Sequence, residues 1–369
     1  MTERVYMIGS GVIARLHHEA IRRHTPDAEI HICDLSADCL QAMQADDPAL
    51  ITHSNHKEML AAPACDTDIV IVCTPPSSHA ALSIDALASG RHVLCEKPFA
   101  LTTGDAEAML AAAEQAQRRV ACCSMRFIEQ DALGQLKAGI KTGRCGELYR
   151  IAWQSVAPRS RSGIEFQAGS YWFLRKNANG GGALMDWAPY DMMILLDLLD
   201  AQSVQIQQAW LAQPRTALPK DLDPDSVDVE FHGGASLLVT TPSGARVGID
   251  FERASCCHGE HHSRFHCYGS DGGATIDWLP WGEGCALRWF ADDGGQLTHS
   301  DAELADTDLA IQHIPYVRFR RHINDTAVAS AFDQHAVFAL SVLRGIYTAA
   351  ESGTPITCTL TARPSEITA

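Results

Sequence analysis

The sequence predicts a doubly wound α/β domain followed by an α+β domain with a mostly antiparallel open sheet, and three observations lead there. A chain of 369 residues exceeds what one hydrophobic core usually holds, so two domains are expected. Up to residue 125, short apolar runs alternate with helical segments, the pattern of parallel strands joined by crossover helices. Past that point, longer runs of period-two character take over, which marks strands with one buried face.

Taken in order, Val5-Tyr6-Met7-Ile8 reads as the first strand, Ile13 to His24 as a helix and Glu29 to Cys33 as the second strand. Asp68 to Cys73 is apolar enough for a strand buried on both faces. A helix over Ala80 to Ser89, a strand His92 to Cys95, a helix Asp105 to Gln117 and a strand Arg119 to Cys123 complete the first domain, 1–125. The second, 126–369, starts with helical Leu133 to Lys141. Its strand candidates are Leu148 to Gln154, Val204 to Leu211, Ser236 to Thr241, Ala245 to Phe251 and Arg264 to Tyr268, with Gly272-Gly273 read as a turn. A closing helix, Phe332 to Ser352, stops at Gly353 with Pro355 just beyond.

A formal charge of −16 argues against nucleic acid and anionic membrane surfaces, both of which need clustered Lys and Arg. No apolar stretch approaches the span of a bilayer, and the first strand begins at Val5, so a cytoplasmic protein is expected. The 13 cysteines are scattered, with Cys33, Cys73 and Cys95 inside strands, and read as reduced core thiols. Cys256-Cys257-His258-Gly259-Glu260-His261-His262, with His266 and Cys267, has metal-ligand chemistry but not the spacing of a closed zinc site, so it reads as a loop and no metal is expected.

Gly9-Ser10-Gly11-Val12-Ile13-Ala14 matches G-x-G-x-x-G/A, and its place between a strand and a helix lifts it above chance. There Gly9 and Gly11 permit the tight turn, while the amides leading into Val12 and Ile13 face a pyrophosphate at the helix N-terminus. Asp34, closing the second strand, is the expected acceptor for ribose hydroxyls; Leu35 and Ser36 offer no cation for a 2′-phosphate, which favours NAD over NADP. The stiff loop Cys73-Thr74-Pro75-Pro76-Ser77-Ser78-His79 lies at the same sheet edge, with His79 either satisfied by backbone or touching ligand. Glu96-Lys97-Pro98 follows the strand His92 to Cys95, so proline holds Lys97 in restricted backbone at the carboxyl edge where ligands bind.

Thr74-Pro75 with His79, the run Ala86 to Pro98 containing Glu96-Lys97-Pro98, and Met125-Arg126-Phe127 resemble the Gfo/Idh/MocA oxidoreductases. Gly180-Gly181-Gly182-Ala183-Leu184-Met185-Asp186-Trp187-Ala188-Pro189-Tyr190-Asp191 resembles that family's glycine-rich entry to its catalytic helix. The resemblance implies an N-terminal Rossmann domain for NAD(P), contacted also through Leu35, Glu96, Lys97 and Arg126, and a C-terminal sheet serving the substrate and a homo-oligomer, dimer or tetramer. It implies hydride transfer to or from a secondary alcohol of a carbohydrate-like small molecule. The family's helix carries Asp and His four apart; here those positions hold Asp186 and Tyr190, on one helical face. A tyrosine, with an ordinary pKa of about 10, needs a neighbouring ammonium to act as a base, and Lys97 is the expected one. Proton transfer is therefore expected of Tyr190 with Lys97, or of Lys97 itself, and substrate hydroxyl binding of Asp186. Trp172 and Arg175 are candidates for a substrate platform, and Arg159 and Arg161 for a closing loop. Relatives imply two alternatives: a hydrolase or lyase that oxidises its substrate transiently and retains NAD, and a non-catalytic sugar sensor.

Overall fold

A computed structural model describes residues 3–158, 167, 169–214, 218, 222–255, 258–279, 284–305, 309–323 and 326–361. Contacts divide the chain into two compact units, residues 1–126 with 308–340, and residues 127–307 with 341–369.

In the first unit the chain runs β1 (Arg4–Ile8), α1 (Val12–His24), β2 (Glu29–Cys33), α2 (Ala37–Asp46), β3 (Ile51–His53), α3 (His56–Met59), β4 (Ile69–Val72), α4 (His79–Ala88), β5 (His92–Cys95), α5 (Thr103–Ala116) and β6 (Val120–Cys122). All six strands are parallel, in the order β3-β2-β1-β4-β5-β6, the doubly wound arrangement. Ile69, Val70, Ile71 and Val72 of β4 are all fully buried, which is why that strand is apolar throughout. The carboxyl ends of β1, β4 and β5 therefore present the fingerprint loop, Thr74 and Glu96-Lys97 along one sheet edge. The sequence boundary assigns residues 308–340 to the second domain, but the structure groups them with the first unit. Side-chain bonds hold them there: Thr25 and Tyr316 hydroxyls lie 2.9 Å apart, and Arg320 grips Glu3 through two 2.7 Å bonds.

His92 gives this unit a measurable acid limit. Its Nε2–H donates to the Asp66 carbonyl at 2.9 Å, and its Nδ1 accepts the Arg119 N–H at 3.0 Å. A proton on Nδ1 would displace that N–H, and burial, the largest cause, pulls the ring pKa down to about 4. An unfolded histidine takes its proton near pH 6.5, so the unfolded chain binds more protons over the window between about 6.5 and 4. Stability is fully present above that window, lost as pH falls through it and flat below, by about 3 kcal/mol from this residue. Urea midpoints at pH 7, 5.5 and 4 should drop for the native chain and drop less for His92→Gln; equal slopes would remove His92 as the cause.

The second unit contains α6 (Asp131–Lys141), β7 (Leu148–Ala157), α7 (Lys176–Asn179), α8 (Ala183–Leu198), β8 (Ser203–Ala212), β9 (His232–Thr240), β10 (Arg246–Ser255), β11 (His262–Gly269), β12 (Gly272–Leu279), β13 (Gly284–Asp293) and β14 (Gln296–Asp301). Helix α9 (Ile314–His322) belongs to the first unit, α10 (Thr326–Ser352) begins in the first unit and ends in the second, and strand β15 (Ile356–Thr359) lies in the second. Nine strands form one sheet, β14-β13-β12-β11-β7-β10-β9-β8-β15, antiparallel except for the β7–β10 pair. Gly272-Gly273 is not a turn, as the sequence reading had it: both glycines lie in β12, paired with Tyr268 on one side and with Ala291 and Phe290 on the other. Pairing on both sides overrides the turn preference of glycine there. Trp153, Phe265 and Trp278 pack with ring centroids 4.8–6.4 Å apart, and Phe127 continues the cluster to Tyr190 on α8 at 4.8 Å. No helix is long and apolar enough to cross a membrane among the described residues. Cys33, Cys73, Cys95, Cys122 and Cys123 are buried free thiols.

Candidate active site

The first unit builds a cofactor cradle. Gly9 has φ +102°, and a Cβ there would lie 2.7 Å from the Cys73 carbonyl oxygen, so only glycine lets the fingerprint loop pass the end of β4. Helix α1 opens at Gly11 without a side-chain cap, leaving its first amides for an anion. Asp34 braces the loop: Oδ2 accepts from the Ser10 N–H at 2.7 Å and the Ser10 hydroxyl at 2.8 Å, and Oδ1 accepts from the Ser36 N–H at 2.8 Å. The glycine turn, the uncapped helix start and the carboxylate at the end of β2 fit a dinucleotide.

At the end of β5, Glu96 is buried and Lys97 half-buried. Glu96 Oε1 lies 2.9 Å from both His17 Nε2 and the Arg126 guanidinium, and Oε2 accepts the Lys97 main-chain N–H at 3.0 Å. Burial opposes its charge, yet the Arg126 guanidinium and the His17 bond outweigh that and hold the carboxyl well below its usual range. His17, Glu96 and Cys123 bring three ligand-type atoms within 4.8 Å of one another, but the Arg126 guanidinium already neutralises the carboxylate and would repel a cation. Burial, then the nearby Glu96, pushes the Cys123 thiol well up.

The second unit builds the helix α8. Gly180 at φ +82° ends α7, and α8 starts at Gly182 with no side-chain cap of its own. Glu230, from across the fold, supplies the acceptors: the Gly182 N–H donates to both oxygens at 2.9 Å, the Leu184 N–H at 3.0 Å and the Tyr347 hydroxyl at 2.7 Å. A Cβ on Gly181 would meet the Tyr347 hydroxyl at 2.1 Å, and one on Gly182 the Glu230 carbonyl at 1.8 Å, which explains the glycine run. Asp186 and Tyr190 lie one turn apart on α8, 6% and 3% exposed. Beside them Asp191 is gripped by Arg253 of β10 at 2.5 and 2.7 Å, and Arg253 also lies over the Trp187 ring, 5.4 Å from its centroid. Burial pushes the Asp191 carboxyl up, against the pull of Arg253.

Residues 3–123 match the family model described as "Oxidoreductase family, NAD-binding Rossmann fold", and residues 133–275 match the GFO/IDH/MocA C-terminal domain. The chain belongs to the GFO/IDH/MocA oxidoreductase family. It is similar to the D-glucoside 3-dehydrogenase of Escherichia coli (strain K12), 25% identical over 96% of this chain and 97% of that one. An inositol 2-dehydrogenase of Gluconacetobacter diazotrophicus is 24% identical over 69% of this chain and 71% of its own. In fold it resembles the aldose-aldose oxidoreductase of Caulobacter crescentus, with TM-score 0.76, 21% identity and coverage of 96% and 99%. A levoglucosan dehydrogenase in complex with NADH gives TM-score 0.77 at 17% identity, covering 98% and 100%.

In this GFO/IDH/MocA chain several of the expected site residues have partners within the protein. His79 is wholly buried, with its ring nitrogens 2.8 Å from the Pro98 and Thr74 carbonyl oxygens. A neutral ring can donate to only one of those oxygens, and burial keeps the charged form disfavoured, lowering its pKa. Arg126 is buried against Glu96. Cys73 is a buried thiol whose part in the cradle is its main chain. Thr74 is half-buried, its hydroxyl 2.7 Å from that of Ser78, while Pro75 and Leu35 are exposed. Trp172 stacks on its neighbour Phe173 at 3.7 Å in the turn that leads to Arg175. Arg159, Arg161, Cys256 and Cys257 lie outside the described residues, and His258 to His262 are exposed. The sequence reading missed His17, Glu230, Tyr347 and the Asp191–Arg253 pair. The one local signal was a glycine run entering a helix without Ser, Thr, Asp or Asn to cap it.

Proposed function

We propose that this oxidoreductase moves a hydride between NAD and a secondary alcohol of a sugar, sugar derivative or polyol. The observation that carries the reading is the clamped Glu96-Lys97-Pro98 at the carboxyl end of β5, in a domain whose fingerprint and Asp34 fit a dinucleotide. The names of the relatives, a glucoside and an inositol dehydrogenase among them, support the substrate class. NAD is preferred over NADP because Leu35 and Ser36 follow Asp34, and a carboxylate at that position repels a 2′-phosphate.

When bound, NAD supplies the hydride acceptor. The chain's own task is to orient the alcohol and take its hydroxyl proton. Lys97 fixes the alcohol oxygen and stabilises charge on it, Tyr190 takes the proton with Lys97 beside it in function, and Asp186 binds a neighbouring hydroxyl. The test is a panel of sugars, glycosides and inositols with NAD, followed at the nicotinamide absorbance. Reduction on at least one substrate class, tighter with NAD than NADP, is expected. Conversion of a glycoside without net NADH would favour the transient-oxidation alternative, and silence across the panel with retained sugar binding would favour a sensor.

A further inference from the structure

We infer that His17 is a positioning residue for Lys97, acting through the Glu96 carboxylate; the inference rests on the reading of Lys97 given above. His17 lies on α1, the helix that opens at the fingerprint, and is 1% exposed among Ala14, Ala20 and Ile21. If packing were all that the site required, an apolar side chain would serve at less desolvation. What histidine adds is a bond from Nε2 to Glu96 Oε1 at 2.9 Å, beside the Cys123 sulfur 4.0 Å from the same nitrogen.

Arg126 matches the carboxylate charge at 2.9 Å, and His17 Nε2 makes a second contact on the same oxygen. Its Nδ1 has no hydrogen-bond partner among the described residues, and a bare lone pair is the less costly atom to leave there than an N–H. With Oε1 held by His17 and Arg126, Oε2 is turned to receive the Lys97 N–H at 3.0 Å. The Pro98 carbonyl oxygen lies 2.8 Å from His79 Nδ1. Two buried histidines thus flank Lys97, His17 of α1 through the Glu96 carboxylate and His79 at the start of α4 against the Pro98 carbonyl. The link through α1 joins the helix that carries the dinucleotide loop to the lysine that performs the chemistry.

The test compares His17→Gln with His17→Asn in the full chain. The glutamine amide reaches to about the place of Nε2, and the asparagine amide stops near that of Nδ1, so the two differ chiefly in the bond to Glu96. Amide hydrogen exchange at Lys97, without substrate, should stay within about threefold of native in His17→Gln and rise tenfold or more in His17→Asn. In turnover, kcat should follow the same split while the dissociation constant for NAD stays within twofold. Equal exchange in the two variants, whether both native-like or both fast, overturns the inference. A split in exchange without turnover on any substrate leaves His17 as the positioning residue and counts against the dehydrogenase reading instead.

Discussion

Replacing Lys97 with alanine should lower kcat by about 10²–10⁴-fold while NAD still binds within a few-fold of native affinity, the range expected when a proton-transfer group is lost. The cradle proposed for NAD is built from Gly9, Gly11 and Asp34. The clamp on residue 97 is a main-chain N–H, which alanine keeps. Tyr190→Phe separates the roles. Its ring keeps the edge contact with Phe127 at 4.8 Å, so packing survives and only the hydroxyl is lost. A fall in kcat with loss of the basic limb of the pH profile is expected of a tyrosine base. An unchanged rate in Lys97→Ala would sink the catalytic assignment, and an unchanged pH profile in Tyr190→Phe would move proton transfer to Lys97 alone.

Glu230→Ala should destabilise the protein by about 3–5 kcal/mol, a large fraction of the total for any domain. The carboxylate accepts from Gly182, Leu184 and Tyr347, all buried, and the truncation strands three donors at once while opening a cavity. Burial pushes the Glu230 carboxyl up, although these donors pull the other way, and burial with the adjacent carboxylate pushes the Tyr347 hydroxyl well up. The melting temperature should fall by roughly 10 °C. Glu230→Gln, which keeps size and one acceptor oxygen, should lose less than half as much. Since Glu230 caps the helix bearing Asp186 and Tyr190, kcat in that variant should fall more than its stability would suggest. A melting shift under 2 °C in Glu230→Ala would show that α8 does not depend on this cap.

Much of the cofactor half was legible because its signals are local. A glycine fingerprint between strand and helix, an acidic residue at the end of β2 and a proline after Lys97 each act on the backbone within a few residues. The strands β12 to β15 and the short β3 were not legible, because neighbours in the sheet, not propensity, decide whether such segments pair. Type and position offered His79 as backbone-bound or ligand-touching and Arg126 as a cofactor contact; their buried partners come from residues distant in sequence.

By itself the sequence determined the two fold types, the dinucleotide loop, the lysine at the end of β5 and the one-turn spacing of Asp186 and Tyr190. These depend on periodicities and turns that a few adjacent residues dictate. Only the tertiary structure decided how the charges near them are answered: Glu96 by Arg126, 30 residues on, and by His17, 79 residues back, and the start of α8 by Glu230, 48 residues away. Buried polar groups must find partners wherever the fold brings them, and partners so far apart in sequence leave no period or spacing to read.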